Sequence, residues 1–173
     1  PELDPSRSTL DTRHMHSRNW SVDFSVISLL ILDVDGVLTD GRIHVPAEGA
    51  VGVSFHVRDG LAIQAWRASG GKVAILSGRA NEGVKNRARE LGIESVQTGV
   101  RDKLVGLESI KTDTGLNESS MAYVGDDLPD LPPMGVCGFA VAVADAAPAV
   151  RQAAHRITRA AGGRGAVAEI IEY

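Results

Sequence analysis

From residue 26 onward, short apolar runs alternate with helix-like stretches, and this rhythm is the strongest constraint on the fold. The apolar run at 27–32 is followed by a helix-like stretch at 60–69 and a second apolar run at 72–76. Strand, helix, strand is the unit of a parallel sheet, because parallel strands need a crossover between them. A helix-like segment at 81–91 then stops at Gly92, a short strand follows at 95–97, and residues 103–112 set Leu104, Leu107 and Ile110 on one face. The apolar run at 121–124 is halted by Gly125 and Asp126, after which come a short helix, a strand at 139–143 and a helix at 149–155. The alternation predicts an α/β fold on a doubly wound parallel sheet.

One insertion breaks the rhythm. Residues 41–57, GRIHVPAEGAVGVSFHV, read as two extended segments around a turn-rich 46–52, which predicts a β-hairpin projecting from the sheet. No GxGxxG or GxxxxGKS/T pattern opens a helix, so dinucleotide and P-loop readings are weak. Domains commonly run to roughly 100 to 200 residues, so the 173 residues leave room for one domain at 26–173. Residues 1–25 are polar, carry Pro1 and Pro5, and read as a flexible extension. His14 and His16 in it lack further nearby ligands and read as surface histidines.

The net charge of -4, with 18 Lys and Arg forming no dense run, argues against a nucleic-acid surface. A small anionic ligand needs only a local basic pocket. No apolar stretch approaches the roughly 18 to 20 residues of a membrane span, and the N-terminal region lacks a secretory signal pattern. The single cysteine, Cys137, excludes an internal disulfide, reads as a small buried hydrophobe and fits a cytoplasmic location.

Open parallel sheets bind ligands beyond the carboxyl ends of their strands, so the residues just after each apolar run are where chemistry is expected. The first end reads LILDVDGVLTDG, where Asp33 and Asp35 would repel unless a cation or proton held them. The second reads ILSGR, where Ser77, the Gly78 amide and Arg79 could donate to an anion just before a helix. Lys103 opens a later helix; alone it would read as an exposed cation. In YVGDDLPD, Asp126, Asp127 and Asp130 crowd together after a strand, which suits a hard, oxygen-seeking cation such as Mg2+.

Asp-x-Asp, then Ser, then Lys, then Gly-Asp-Asp-x-x-Asp resembles the four motifs of the haloacid dehalogenase superfamily. The resemblance implies that Asp33 attacks phosphorus and becomes an aspartyl phosphate, while Asp35 acts as general acid and then base. It implies magnesium held by the carboxylates of Asp33 and Asp126 and the backbone carbonyl of Asp35. Ser77 and Lys103 would neutralise the phosphoryl oxygens, with Asp127 and Asp130 orienting water, the metal ligands or Lys103.

Longer blocks, LILDVDGVLTDG, FHVRDG, GRANEGVKNRARELGI, VGDDLPDLP, AVAVADA and GGRGAV, are similar to the 3-deoxy-D-manno-octulosonate 8-phosphate phosphatase family. That similarity implies a small sugar-phosphate substrate, no large cap domain, and a homotetramer in which the projecting hairpins assemble. It implies substrate contacts at His56, Val57, Arg58, Asp59 and Gly60, and at Gln64, Gly78, Arg79, Arg87 and Lys103. Arginines suit a substrate carrying both carboxylate and phosphate. The glycine-rich AGGRGAVAEI resembles a tail that reaches an active site, with Arg164 closing the pocket; a plain turn before a last helix is the alternative. Two departures stand out: Gln64 replaces a usual basic residue, and His56 a common asparagine. A nine-carbon sugar acid phosphatase, a non-catalytic scaffold domain and a receiver-type signalling domain are the rival readings.

Overall fold

The computed structural model describes residues 26–49 and 51–172. The N-terminal extension at 1–25, with His14 and His16, lies outside the described residues. Six strands form one parallel sheet in the order β3-β2-β1-β4-β5-β6. They are β1 (Leu29–Leu32), β2 (Lys72–Ser77), β3 (Ser95–Thr98), β4 (Met121–Gly125), β5 (Phe139–Ala142) and β6 (Arg156–Ile157). The helices are α1 (Val57–Ala68), α2 (Glu82–Glu90), α3 (Lys103–Thr114), α4 (Leu131–Val136), α5 (Pro148–Ala153) and α6 (Ala166–Ile171). The α/β doubly wound architecture expected from the sequence is the one observed, and no large cap domain interrupts it among the described residues.

The central strands are apolar on both faces because helices cover both. β1 is buried at every position, as are β4 and β5, the pattern of an interior parallel strand rather than an alternating one. Strand order reverses direction at β1, which pairs with β2 on one side and β4 on the other. A doubly wound sheet opens its binding crevice at such a reversal, here beyond Leu32 and Gly125.

Local signals set the helix ends. Asn81 caps α2 by accepting from the Gly83 amide at 2.8 Å, and Asp102 caps α3 by accepting from Leu104 at 3.0 Å. α1 begins at Val57, three residues before the sequence pattern shows helix, because the Arg58-Asp59-Gly60 turn carries no periodic apolar signal. On α3, Leu107 and Ile110 enter the core as expected, whereas Leu104 stays 39% exposed in the first turn. Cys137 is buried, and burial pushes its thiol up to about 12, so it packs as a hydrophobe.

The β-hairpin expected over 41–57 survives only as an antiparallel arm with one bridge, His44 to Gly52. Two strands alone gain too little cross-strand packing to hold a ladder, and residues 41–49 are all exposed. Ile43 is 51% exposed and Val45 77%.

Candidate active site

The first carboxylates are placed by the end of β1. The Asp33 amide donates to the Val124 carbonyl at 3.1 Å, so the chain leaves the sheet still tied to β4. It then turns sharply through Val34–Leu38, with Gly36 at φ 92, a left-handed conformation that glycine adopts without a Cβ penalty. Space demands glycine there as well, since a Cβ would lie 2.0 Å from Asp126 Oδ2. Thr39, 3% exposed, closes the turn: its hydroxyl donates to Val34 O at 3.2 Å and accepts from the Gly41 amide at 3.2 Å.

Around that turn the structure gathers residues from four strand or helix ends. Lys103, 5% exposed at the start of α3, places Nζ 2.9 Å from Asp33 Oδ1 and 2.5 Å from Asp130 Oδ1. Asp126 arrives from the end of β4. Asp130 is fully buried and accepts four hydrogen bonds, from Lys103 Nζ (2.5 Å), Tyr123 Oη (2.7 Å), Asp126 N (2.9 Å) and Asp127 N (3.2 Å). Asp127 caps the short turn Leu128–Asp130 by accepting from Leu128 N at 2.8 Å. Ser77 is 1% exposed at the end of β2, where its hydroxyl accepts from the Arg79 amide at 3.3 Å. Beside it Gly78 is exposed, and Arg79 lies 3.7 Å from Asp35 on the open side.

Three carboxyl groups against one cation leave the cluster short of positive charge. Burial, then Asp130, pushes the Asp33 carboxyl up to about 6 despite the Lys103 ammonium beside it. Burial, then Asp33 and Asp130, pushes Asp126 up to about 8. Carboxylate oxygens of Asp33, Asp126 and Asp130 all lie within 4.8 Å of one another, a set of hard donors that suits a cation such as magnesium. A carboxylate offers about four lone-pair sites and Asp130 has filled all of its own, so the donors free for a metal are those of Asp33 and Asp126.

The residues expected to touch a sugar are distributed less simply. His56 precedes α1, and Val57 and Arg58 are exposed there, with Arg58 3.6 Å from Glu172. Asp59 is 2% exposed and accepts from the Ala168 amide of α6 at 2.8 Å, so it is turned away from the open side. Burial raises its carboxyl, and its Oδ2 and His56 Nδ1 are buried without a protein partner. Gly60 lacks a Cβ where one would fall 2.1 Å from Arg87 Nη2. Arg87 is packed there, over the Phe55 ring at 5.9 Å and 2.8 Å from Glu90. Gln64 is not brought to the carboxylates: at 1.5 Å per residue it lies about 10 Å down α1 from Val57, in a groove with Arg67 and Arg89.

The glycine-rich segment packs on the chain's own Asp33 turn. The Gly163 amide donates to Val37 O at 2.9 Å, and Arg164 reaches Asp40 at 3.4 Å. Gly162 sits so close that a Cβ would fall 1.7 Å from Gly36 O. The segment is thus a turn before α6 that lies against the loop following Asp33.

Residues 96–171 match the model of haloacid dehalogenase-like hydrolases. The 3-deoxy-D-manno-octulosonate 8-phosphate phosphatase KdsC of Escherichia coli strain K12 is 44% identical over 146 residues, 84% of this chain and 78% of that protein. The chain belongs to this phosphatase family. Solved structures agree with the membership. The Yersinia pestis 3-deoxy-D-manno-octulosonate 8-phosphate phosphatase superposes with a TM-score of 0.84 at 42% identity, covering 86% of this chain and 80% of that one. The Moraxella catarrhalis enzyme, solved with magnesium, phosphate and KDO, gives 0.83 at 41% identity over 86% of each chain.

Sequence reasoning missed Tyr123 and Thr39 as parts of the site. Tyr123 sits inside the apolar run MAYVG, where nothing distinguishes it from a core aromatic. Thr39 carried a readable signal: a hydroxyl two residues before Gly41 favours a local turn.

Proposed function

We propose that this chain hydrolyses 3-deoxy-D-manno-octulosonate 8-phosphate to the free sugar acid and phosphate, using Asp33 as nucleophile. The observation that carries the reading is Asp33 itself, a buried carboxylate at a sheet crevice, pinned by Lys103 at 2.9 Å within a family of phosphatases acting on that sugar. Its carboxylate attacks phosphorus in line, the sugar oxygen leaves, and an aspartyl phosphate forms. Asp35, on the open side two residues on, protonates the departing oxygen and then takes a proton from the water that cleaves the intermediate. Lys103 and the Ser77 hydroxyl neutralise the phosphoryl oxygens, which is most of what phosphoryl transfer asks of a protein.

Magnesium fits the donors left free: the carboxylates of Asp33 and Asp126, joined by the Asp35 carbonyl. When bound it supplies charge neutralisation of the transferring group. Asp130 orients Lys103, and Asp127 holds the turn that presents Asp126. For the sugar acid, the contacts this reading assigns are His56, just before α1, and Val57, Arg58 and Gly60 in its first turn, with Gly78, Arg79, Arg87 and Arg164 as further contacts. To take part, Asp59 would have to leave the Ala168 amide, and Gln64 would act from the groove it shares with Arg67 and Arg89.

Assembly as a homotetramer, through the exposed arm with Ile43 and Val45, is the oligomer this reading expects, and lipopolysaccharide sugar biosynthesis in the cytoplasm is its setting. No described helix is long and apolar enough to cross a membrane. The test is phosphate release from the eight-carbon sugar acid phosphate, a nine-carbon counterpart and an aryl phosphate, with magnesium and with a chelator. Magnesium-dependent preference for the eight-carbon substrate supports the assignment. Preference for the nine-carbon one moves it, and release from none refutes it.

A further inference from the structure

The hydroxyl of Tyr123 is the one donor to Asp130 that comes from a residue given no role by the sequence motifs. Tyr123 is fully buried in β4, with Ile31 of β1 and Ala140 of β5 as its register partners. A phenylalanine would fill that core position equally well, because the ring supplies the apolar burial and only the hydroxyl needs a partner. The partner it finds is Asp130 Oδ1 at 2.7 Å, the same oxygen that accepts from Lys103 Nζ at 2.5 Å.

Sharing one oxygen couples the two donors. Asp130 Oδ2 is already held by two backbone amides, so the orientation of Oδ1 within the carboxylate plane is set. With Tyr123 occupying one lone pair of Oδ1, Lys103 is confined to the other, on the side facing Asp33. An unshared Oδ1 would let the ammonium centre itself on Asp130, and its reach to Asp33 and to a phosphoryl oxygen would lengthen. We propose that Tyr123 is a positioning residue of the phosphatase, whose hydroxyl acts through Asp130 to hold the Lys103 ammonium against the transferring phosphoryl group. This inference rests on the phosphoryl-transfer reading above, but not on which sugar carries the phosphate.

The test compares wild type and Tyr123→Phe with magnesium, on the eight-carbon substrate and on an aryl phosphate, together with inhibition by orthovanadate as a mimic of the transition state. Hydrogen bonds to charged groups are strong enough that removing one should lower kcat about tenfold or more and weaken vanadate inhibition similarly. KM should move less than about threefold, since charge on the phosphoryl oxygens is redistributed in the transition state. A purely structural role would lower the unfolding temperature while leaving kcat per folded molecule and vanadate inhibition unchanged, and that result overturns the proposal. In a Lys103→Met background, Tyr123→Phe should weaken vanadate binding no further; an equal second loss also overturns it.

Should Tyr123→Phe fail to fold, a second measurement remains. The chain has 2 tyrosines, Tyr123 and Tyr173, so 3-fluorotyrosine incorporation gives two fluorine resonances, assigned with Tyr173→Phe. The Tyr123 resonance should shift on adding magnesium and vanadate to wild type, and much less in Lys103→Met; an unmoved resonance in wild type refutes the coupling. Wild type inactive on every phosphate ester would instead defeat the phosphatase reading itself.

Discussion

Replacing Asp33 by Asn should stop turnover and, in the metal-free protein, make the fold more stable. Asp33 is 6% exposed, and its carboxyl is pushed from 3.8 up to about 6 by burial and by Asp130, against the pull of Lys103. A shift of roughly two units at about 1.4 kcal/mol each means that the ionised carboxylate costs the fold roughly 3 kcal/mol. The sign follows from the direction: a raised folded value favours folding at low pH, and that contribution is lost as pH rises from about 4 through about 6. Asparagine keeps the shape and a carbonyl for Lys103 but never ionises. It gives up the charge-assisted character of that hydrogen bond, so a net gain of about 1 to 2 kcal/mol at pH 8 is expected. For a domain of this size that raises the unfolding temperature by roughly 2 to 8 °C. Thermal unfolding by circular dichroism in chelator, at pH 5 and pH 8, reads the effect. The gain should be present at pH 8, shrink at pH 5, and narrow on adding magnesium, which binds the wild-type carboxylates. A variant less stable than wild type at pH 8 in chelator, or a gap that ignores pH, would refute the claim of uncompensated charge at Asp33. Turnover above a trace would separately remove Asp33 as nucleophile.

Asp35→Asn should lower kcat by about 10²-fold, the usual size of general acid catalysis, with an unfolding temperature within a degree or two of wild type because the side chain is 30% exposed; an unchanged rate reassigns the acid. Gly36→Ala should weaken magnesium activation at least tenfold, since a Cβ 2.0 Å from Asp126 Oδ2 at φ 92 displaces that carboxylate, and titration of activity against magnesium reads it. Magnesium binding at pH 7 should release close to one proton, because Asp126 titrates near 8 without metal and must ionise to bind; calorimetry in buffers of different ionisation heat measures the count, which should fall by pH 9. Gly162→Ala should cost both stability and activity, since its Cβ would press 1.7 Å from Gly36 O; a stable, fully active variant would show that the glycine-rich turn does not buttress the nucleophile loop.

What the sequence disclosed and what it withheld divide along a physical line. Apolar runs and helix periodicity report burial, so the strands around Leu32, Leu76 and Val124 could be placed, and with them the strand ends that carry Asp33, Ser77 and Asp126. Lys103 was legible as part of an ordered set of motifs, although nothing in its own neighbourhood announces a cation buried between two carboxylates. The hairpin expected over 41–57 is reduced to one bridge because extended composition reports strand propensity, whereas a ladder needs cross-strand packing that exposed Ile43 and Val45 do not receive from the described residues. Asp59 is a sugar contact only by the family resemblance. Its turn toward the Ala168 amide depends on α6, more than a hundred residues later, and no local pattern encodes such a pairing. Tyr123 is the sharpest case. Its ring is accounted for by the strand, so only the folded structure shows that its hydroxyl meets the oxygen that Lys103 also uses. Asp33, Ser77 and Asp126 stand at or just beyond strand ends, where the sequence shows them, while the Tyr123 hydroxyl lies inside a strand, where function and packing leave the same signature.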